Sequence, residues 1–329
     1  MSTVAGLEQW LTEQWGESVR VDGVTTSSAG ARRQNVLFDA TSPGRHERLV
    51  ATIIPADLTS LMSVESETTV RALAEQQGVP VPTVRGVCSD ASYVGGPFFV
   101  SDRVDGETIP RQVHRLAERT GIGELVIRQL GAALARLHSV NVDSAAASLG
   151  QDVITRPVGA ALEMLRMSLE ELLQPEPALS YGLRWLEDHT PAEPERAVLV
   201  HGDARVGNLI VSDEGLRGIL DWEGARTGDP MEDPAWTCIR MWRFGNDAKI
   251  AGGLADLDQY RAGYESAGGE WDADRLRWWR ACGTLRWAVG LSGQTAAHLD
   301  GSLRGIVMAG SGRRVPEMEY DLLLLTRPS

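Results

Sequence analysis

Between residues 198 and 233 the chain reads VLVHGDARVGNLIVSDEGLRGILDWEGARTGDPMED. Two carboxylates and a carboxamide are set here around a tight hairpin. Asp203 stands in the loop after the short apolar run Ala197 to Val200. Asn208 follows at the start of the next strand, and Asp221 ends the strand after the turn Asp213-Glu214-Gly215. Pairing of the two strands brings Asn208 and Asp221 to the same end of the hairpin. Carboxylate and carboxamide oxygens suit Mg²⁺, which takes one or two protein ligands and fills its remaining positions with phosphate oxygens and water. Asp203 then faces the metal-bound phosphate from its loop, where it can accept a proton from, or orient, an attacking hydroxyl.

His201-Gly202-Asp203, Asn208 and Asp221-Trp222-Glu223 follow the spacing of a kinase catalytic loop and its metal-binding aspartate. Gly228-Asp229-Pro230 and Asp233 complete a Gly-Asp-Pro-x-x-Asp signature. On these residues the chain resembles the aminoglycoside phosphotransferase and choline kinase-like superfamily, and within it the bacterial phosphotransferase enzyme family proteins of unassigned substrate. The likeness extends through GVPVP at 78–82, GGPFFV at 95–100 and RVDGE at 103–107. It implies a two-lobed, protein-kinase-like α+β fold with ATP between the lobes. The N-lobe, residues 1–104, would be a small antiparallel sheet that binds nucleotide. The C-lobe, residues 105–329, would be larger, mostly helical, and carry catalysis and substrate binding.

The same resemblance implies roles. Asp203 carries over as catalytic base, and Asn208 and Asp221 as magnesium ligands. Glu223 is either a further metal ligand or a structural carboxylate. Arg205 could neutralise charge on the transferred group or lie on the surface. His201 props the loop through hydrogen bonds. Asp229 caps a helix that starts at Pro230. The adenine is expected on backbone near Asp102 and Val104, and the phosphates under the turn around Gly30.

Two departures stand out. The cation that such folds carry on the third strand would fall at Thr52, in Leu49-Val50-Ala51-Thr52-Ile53-Ile54. Arg48 shares a strand face with Thr52 but lies four residues away, about 13 Å at roughly 3.3 Å per residue. The partner carboxylate on the following helix is also ambiguous, since Glu65 and Glu67 flank the expected position, Ser66. The phosphate turn Ser28-Ala29-Gly30-Ala31-Arg32-Arg33 offers two arginines. One of them could take over phosphate neutralisation, or both could be solvated loop residues.

These residues need elements to hold them. Helical spacing of Leu7, Trp10, Leu11 and Trp15 predicts a first helix over 4–15. Strands are expected at 19–26, 36–40 and 48–54, then a helix over about 58–77 with Leu61, Val64 and Thr68 near one face. Strands at 83–87 and 97–103 complete the sheet. Beyond Gly106 helices are expected at 125–138, 160–173 and 181–189, interrupted by the hairpin, and again from Met231 onward. Trp236, Trp242, Trp278 and Trp279 there could line a cleft or fill the core.

Composition narrows the alternatives. The 329 residues suggest about two domains or lobes, with 43% hydrophobic and 23% charged residues, ordinary globular values. Thirty-two Lys plus Arg against 45 Asp plus Glu give a net charge of −13, which argues against a nucleic-acid binder. The chain has a single lysine, Lys249, between Ala248 and Ile250, so it holds no P-loop. Cys88, Cys238 and Cys282 are far apart, which excludes a disulfide framework and fits a reducing, cytoplasmic setting. No signal peptide or membrane span is expected. The predicted function is ATP- and Mg²⁺-dependent transfer of phosphate to a hydroxyl of a small molecule, aminoglycoside-like or another metabolite. Asp247, Asp256, Asp258 and Glu265 could attract a cationic acceptor or form a solvated face. The competing function is a non-catalytic or weakly active kinase-like nucleotide- or metabolite-binding module, favoured by Thr52.

Overall fold

The computed structural model describes residues 2–27, 33–56, 60–172 and 174–327. Gly30 and Arg32 therefore lie outside the described residues. The chain opens with helix α1 (Thr3–Trp15), started by the Ser2 hydroxyl, which accepts from the Ala5 N–H, and stopped by Gly16 at φ 70°. Strands β1 (Arg20–Ser27), β2 (Gln34–Ser42) and β3 (Arg45–Ile53) follow, then helix α2 (Val64–Gln76), β4 (Val84–Cys88) and β5 (Phe98–Asp102). The five strands form one antiparallel sheet in the order β1-β2-β3-β5-β4.

Strand alternation gives this sheet two apolar faces. Phe38, Leu49, Ala51, Ile53, Phe98 and Val100 pack with Leu7, Trp10 and Leu11 of α1. On the opposite face Ile54 and Phe99 pack against Val64 of α2. Thr52 pairs with Phe99 across β3 and β5, so its side chain belongs to the face that looks toward α2. Helix α2 starts later than its apolar spacing predicts. The Ser63 hydroxyl accepts from the Ser66 N–H and fixes the first turn at Val64. Leu61, expected on the helix face, is instead 64% exposed ahead of it.

The remainder is mainly helical: α3 (Pro110–Thr120), α4 (Gly123–His138), α5 (Val142–Leu149), α6 (Pro157–Glu170) and α7 (Pro177–Asp188). The sequence reading lacked α3 and α5. In α3, a proline in the first turn and the charged residues Arg111, Arg115, Glu118 and Arg119 replace the long apolar stripe of a core helix. Only Val113, His114 and Leu116 are buried. Four short strands then frame the segment 198–228. Strand β6 (Val198–Val200) pairs with β9 (Arg226–Gly228), and β7 (Leu209–Ser212) forms a hairpin with β8 (Gly215–Ile219). Helices α8 (Glu232–Thr237), α9 (Leu257–Ser266), α10 (Ala273–Asp300), α11 (Ile306–Ser311) and α12 (Val315–Thr326) complete the chain. Helix α8 begins at Glu232 rather than Pro230. Asp229 still serves the turn before it, accepting from the Met231 N–H at 2.9 Å and pairing with Arg275. Among the described residues no helix is long and apolar enough to cross a membrane, and all three cysteines are free.

Candidate active site

The loop after β6 is held from beneath by α8. The carboxylate of Asp233, fully buried, accepts from the backbone N–H of His201 at 2.7 Å and of Gly202 at 2.8 Å. The Thr237 hydroxyl donates to the Ala204 carbonyl at 2.6 Å. His201 closes the other side. Its Nδ1 accepts from the Asp203 N–H at 3.2 Å, which makes Nε2 the donor to the Leu220 carbonyl at 3.0 Å. Burial holds the His201 imidazole below its ordinary pKa, so it serves as a neutral strut. Gly202 is required between them: its φ is +80°, and a Cβ there would stand 2.2 Å from the Gly224 carbonyl oxygen.

So fixed, the Asp203 carboxylate gathers four donor contacts. The Trp236 indole N–H donates to Oδ1 at 2.6 Å, the Asn208 amide donates to Oδ2 at 2.7 Å, and Arg205 Nε lies 3.0 and 3.1 Å from the two oxygens. Arg205 also lies over the Trp242 ring, 4.9 Å from its centroid. The Asn208 nitrogen donates as well to the Asp203 carbonyl at 2.9 Å. Its Nδ2 is thus turned to Asp203, leaving Oδ1 for another partner.

The hairpin brings Asn208 and Asp221 together. Leu209 pairs with Ile219, and the Leu220 N–H donates to the Asn208 carbonyl at 2.8 Å. Asp221 follows at φ 65°, ψ 64°, a left-handed conformation rare outside glycine and most tolerable for Asp and Asn. Such a residue persists where its surroundings over-determine it, most often at a functional site. Burial pushes the Asp221 carboxyl above its ordinary pKa, and the neighbouring charges of Glu223 and Asp203 push it further. Buried acids that repel one another are the setting a hard divalent cation neutralises.

Where Thr52 offers no cation to the α2 carboxylate, Arg33 pairs with it. Its guanidinium is 2.6 Å from Glu67 of α2 and 3.2 Å from Glu223, with side-chain exposures of 9% for Arg33 and 1% for Glu67. Burial works against the Arg33 charge, but Glu67 and then Glu223 outweigh it and hold the guanidinium above its ordinary value. Burial also pushes the Glu67 carboxyl up, against the pull of Arg33 and Arg71. Two guanidiniums, Arg33 and Arg71, act on this one carboxylate. Thr52 instead donates its hydroxyl to Asn35 Oδ1 at 2.9 Å, and Arg48 makes a bidentate pair with Asp105 at 2.8 Å. Glu67, not Glu65, faces the site; Glu65 accepts from Ser89 near the surface.

Asp102 at the end of β5 uses its carboxylate on Arg85, at 2.6 and 2.8 Å, and its N–H on the Thr83 carbonyl. Val104 follows outside any helix or strand. Beside Gly202, a cavity of about 230 Å³ runs between α6, α8 and α10. Trp236 and Trp279 form part of its wall, whereas Trp278 packs in the core and donates its indole N–H to the Leu186 carbonyl.

Residues 23–279 match the Phosphotransferase enzyme family. The chain belongs to that family. Among curated proteins, this phosphotransferase-family chain is 30% identical over 215 residues to acyl-CoA dehydrogenase family member 10 of Mus musculus, covering 63% of this chain and 19% of that protein. It is 29% identical over 213 residues to the probable acyl-CoA dehydrogenase IBR3 of Arabidopsis thaliana, covering 60% of this chain and 24% of that one. The chain thus spans about a fifth to a quarter of these relatives' length. Among solved structures, a candidate aminoglycoside phosphotransferase from Ralstonia eutropha superposes with a TM-score of 0.73 at 24% identity, covering 98% of this chain and 97% of that one. A thermostable mutant of aminoglycoside phosphotransferase APH(4)-Ia, in ternary complex with ADP and hygromycin B, gives a TM-score of 0.63 at 15% identity, covering 98% of this chain and all of that one. These likenesses establish the two-lobed kinase-like fold.

Sequence reasoning missed two contributors to this family member's site. Asp233 was visible as part of a signature, but its grip on two backbone N–H groups is a tertiary fact. Trp236 looked like core or cleft lining at helical spacing, and only its indole nitrogen shows that it also meets Asp203. Of the four acidic residues considered for a cationic acceptor, two are paired: Asp247 with Arg240 and Glu265 with Arg261.

Proposed function

We propose that this chain is a cytoplasmic, ATP-dependent phosphotransferase that moves the terminal phosphoryl group to a hydroxyl of a small molecule, with magnesium as its metal. Residues 1–104 form the nucleotide lobe and residues 105–329 the catalytic and acceptor lobe. The observation that carries the reading is the trio of partly buried carboxylates, Asp203, Asp221 and Glu223, whose burial and charges push the Asp221 carboxyl up, with Asn208 turned to Asp203 through its amide nitrogen.

Those donors fit magnesium. Asn208 and Asp221 hold it, with Glu223 as a further ligand shared with Arg33. When bound, the ion neutralises phosphate oxygens and orients them. Asp203 orients the acceptor hydroxyl and takes its proton at a carboxylate oxygen. As the acceptor oxygen bonds to phosphorus, the bond from phosphorus to the bridging oxygen breaks and ADP leaves with that electron pair. Arg205 spreads positive charge toward the transferred group. Arg33, braced by Glu67, supplies the phosphate-binding cation that the third strand lacks, with Gly30 and Arg32 as further nucleotide contacts. Backbone near Asp102 and Val104 receives the adenine.

Replacing Asp203 with Asn tests this function. Transfer of phosphate from ATP, followed by ³¹P NMR against a panel of small alcohols, should fall at least about a hundredfold, the low end of general-base contributions. Magnesium-dependent ATP binding by calorimetry should persist. A wild-type protein that binds no ATP at millimolar concentration with magnesium would defeat the proposal and favour the binding-module reading.

A further inference from the structure

The cavity beside Gly202 has an unusual charge inventory. Its walls are mostly apolar, from Ile154, Ala161, Met164, Trp236 and Trp279. Two carboxylates reach it, and both are already answered. Glu232 pairs with Arg226 and accepts from the Asp229 N–H. Asp233 accepts from two backbone N–H groups and faces His138 at 3.3 Å. Among the described residues, Arg286 of α10 has no carboxylate within 4.0 Å. Its guanidinium lies 4.2 Å from the Trp236 ring centroid, and its one polar contact is a 3.5 Å approach to the Gly202 carbonyl. Trp236 therefore joins two places. Its nitrogen touches Asp203, and its ring supports an arginine that has no ion-pair partner within 4.0 Å, Glu232 and Asp203 acting on its charge only from farther off.

We propose that this cavity binds the phosphoryl acceptor, and that the acceptor is a small hydroxy acid whose carboxylate meets Arg286 while its hydroxyl reaches Asp203. The proposal rests on the phosphotransferase reading above and names the substrate class of that site. A guanidinium presents a planar fork that matches a carboxylate in two hydrogen bonds. Apolar walls favour a hydrocarbon body between the two polar ends. The cavity of about 230 Å³, partly open to solvent, has room for a short-chain body beside Arg286. A polyamine acceptor would find no free carboxylate there and one free cation.

Calorimetric titration of the full chain, with magnesium and a non-hydrolysable ATP analogue present, tests the assignment with three probes: ω-hydroxyhexanoate, its methyl ester, and aminohexanol. The hydroxy acid should bind at least about tenfold more tightly than either of the others, the lower value for one charge-assisted contact. Arg286→Met should abolish that preference and Arg286→Lys should keep part of it, which separates a lost charge from a misfolded site. Equal binding of the ester, tighter binding of aminohexanol, binding of none of the three at millimolar concentration, or a preference that survives in a folded Arg286→Met protein would each overturn the proposal. If the hydroxy acid binds with the stated preference but MgATP yields no phosphoester, the transfer reading fails and the anion site stands.

Discussion

Moving the Arg33 charge back to the third strand is the most demanding test of how this site is assembled. Arg33→Ala removes a guanidinium that is 9% exposed and leaves Glu67, 1% exposed, facing only Arg71. Stripping one partner from a buried ion pair costs about 3–5 kcal/mol, because the remaining charge is left buried. The same change deletes one charge-assisted contact to the nucleotide, about 1.5–3 kcal/mol, or roughly ten- to a hundredfold in ATP affinity. The two effects must be separated. Arg33→Ala with Glu67→Gln neutralises the orphaned carboxylate, and its melting temperature should recover while its ATP affinity should not. Arg33→Ala with Thr52→Arg puts the cation on β3, on the face shared with Phe99 and directed at α2. That protein should regain both stability and at least part of the nucleotide affinity. Calorimetric titration of MgATP and thermal unfolding, run on all four proteins, decide the matter. ATP affinity within about twofold of wild type in a folded Arg33→Ala protein would refute the reasoning, since a twofold change is well below the value of one charged contact. Arg33 would then be a brace for α2 and nothing more.

Three further outcomes follow from the geometry. Trp236→Phe removes a 2.6 Å donor from Asp203 and should lower kcat about tenfold or more, with MgATP affinity unchanged; an unchanged kcat at saturating acceptor would show that the indole only packs. Gly202→Ala forces a side chain into φ +80° against the Gly224 carbonyl, costing at least about 1–2 kcal/mol and, through displacement of Asp203, about a hundredfold in turnover; steady-state kinetics within tenfold of wild type would contradict this. Burial depresses the pKa of both His114 and His201, so below about pH 6.5 the unfolded chain takes up protons before the folded one, and stability should fall by up to about 1.4 kcal/mol per pH unit per imidazole. Melting temperatures at pH 7.5 and 5.5 check this, and a His114→Gln protein with an equally steep acid loss would remove His114 from the account.

The parts of the site that were legible in the sequence are those built by short-range chain geometry. Asn208 and Asp221 meet because a two-strand hairpin with a turn at Asp213-Glu214 can bring its ends nowhere else. The sheet was readable because the apolar stretches of β2, β3 and β5 are bounded by glycine and proline. What escaped is tertiary. Glu65 and Glu67 differ by two positions on a helix, so they face opposite ways, and only the orientation of α2 against Phe99 and Ile54 turns Glu67 inward. Helix α2 lost its first turn to the Ser63 cap, a side-chain hydrogen bond that apolar spacing does not register. The roles of Trp236 and Arg286 depend on α8 and α10 meeting across a cavity, and those helices are separated by more than thirty residues of chain.

The displaced arginine shows at which level this site is specified. A β3 cation and an Arg33 cation differ in sequence position, in element and in backbone direction, yet Arg33 reaches the α2 carboxylate that such a cation would meet. Strand pairing makes this possible: Gln34 pairs with Ile53 and Asn35 with Thr52, so the residue just before β2 emerges beside the end of β3. The end of a neighbouring strand is thus one strand spacing, about 4.8 Å, from the vacant position, well within the reach of an arginine side chain. Thr52 then fills the vacated volume and gives its hydroxyl to Asn35, tying together the same two strands whose juxtaposition makes the exchange possible. Charge at a point in space, rather than a residue type at a point in sequence, is what the nucleotide phosphates require. A site read only by aligned positions lacks its cation at Thr52, while in space the α2 carboxylate still meets one in Arg33.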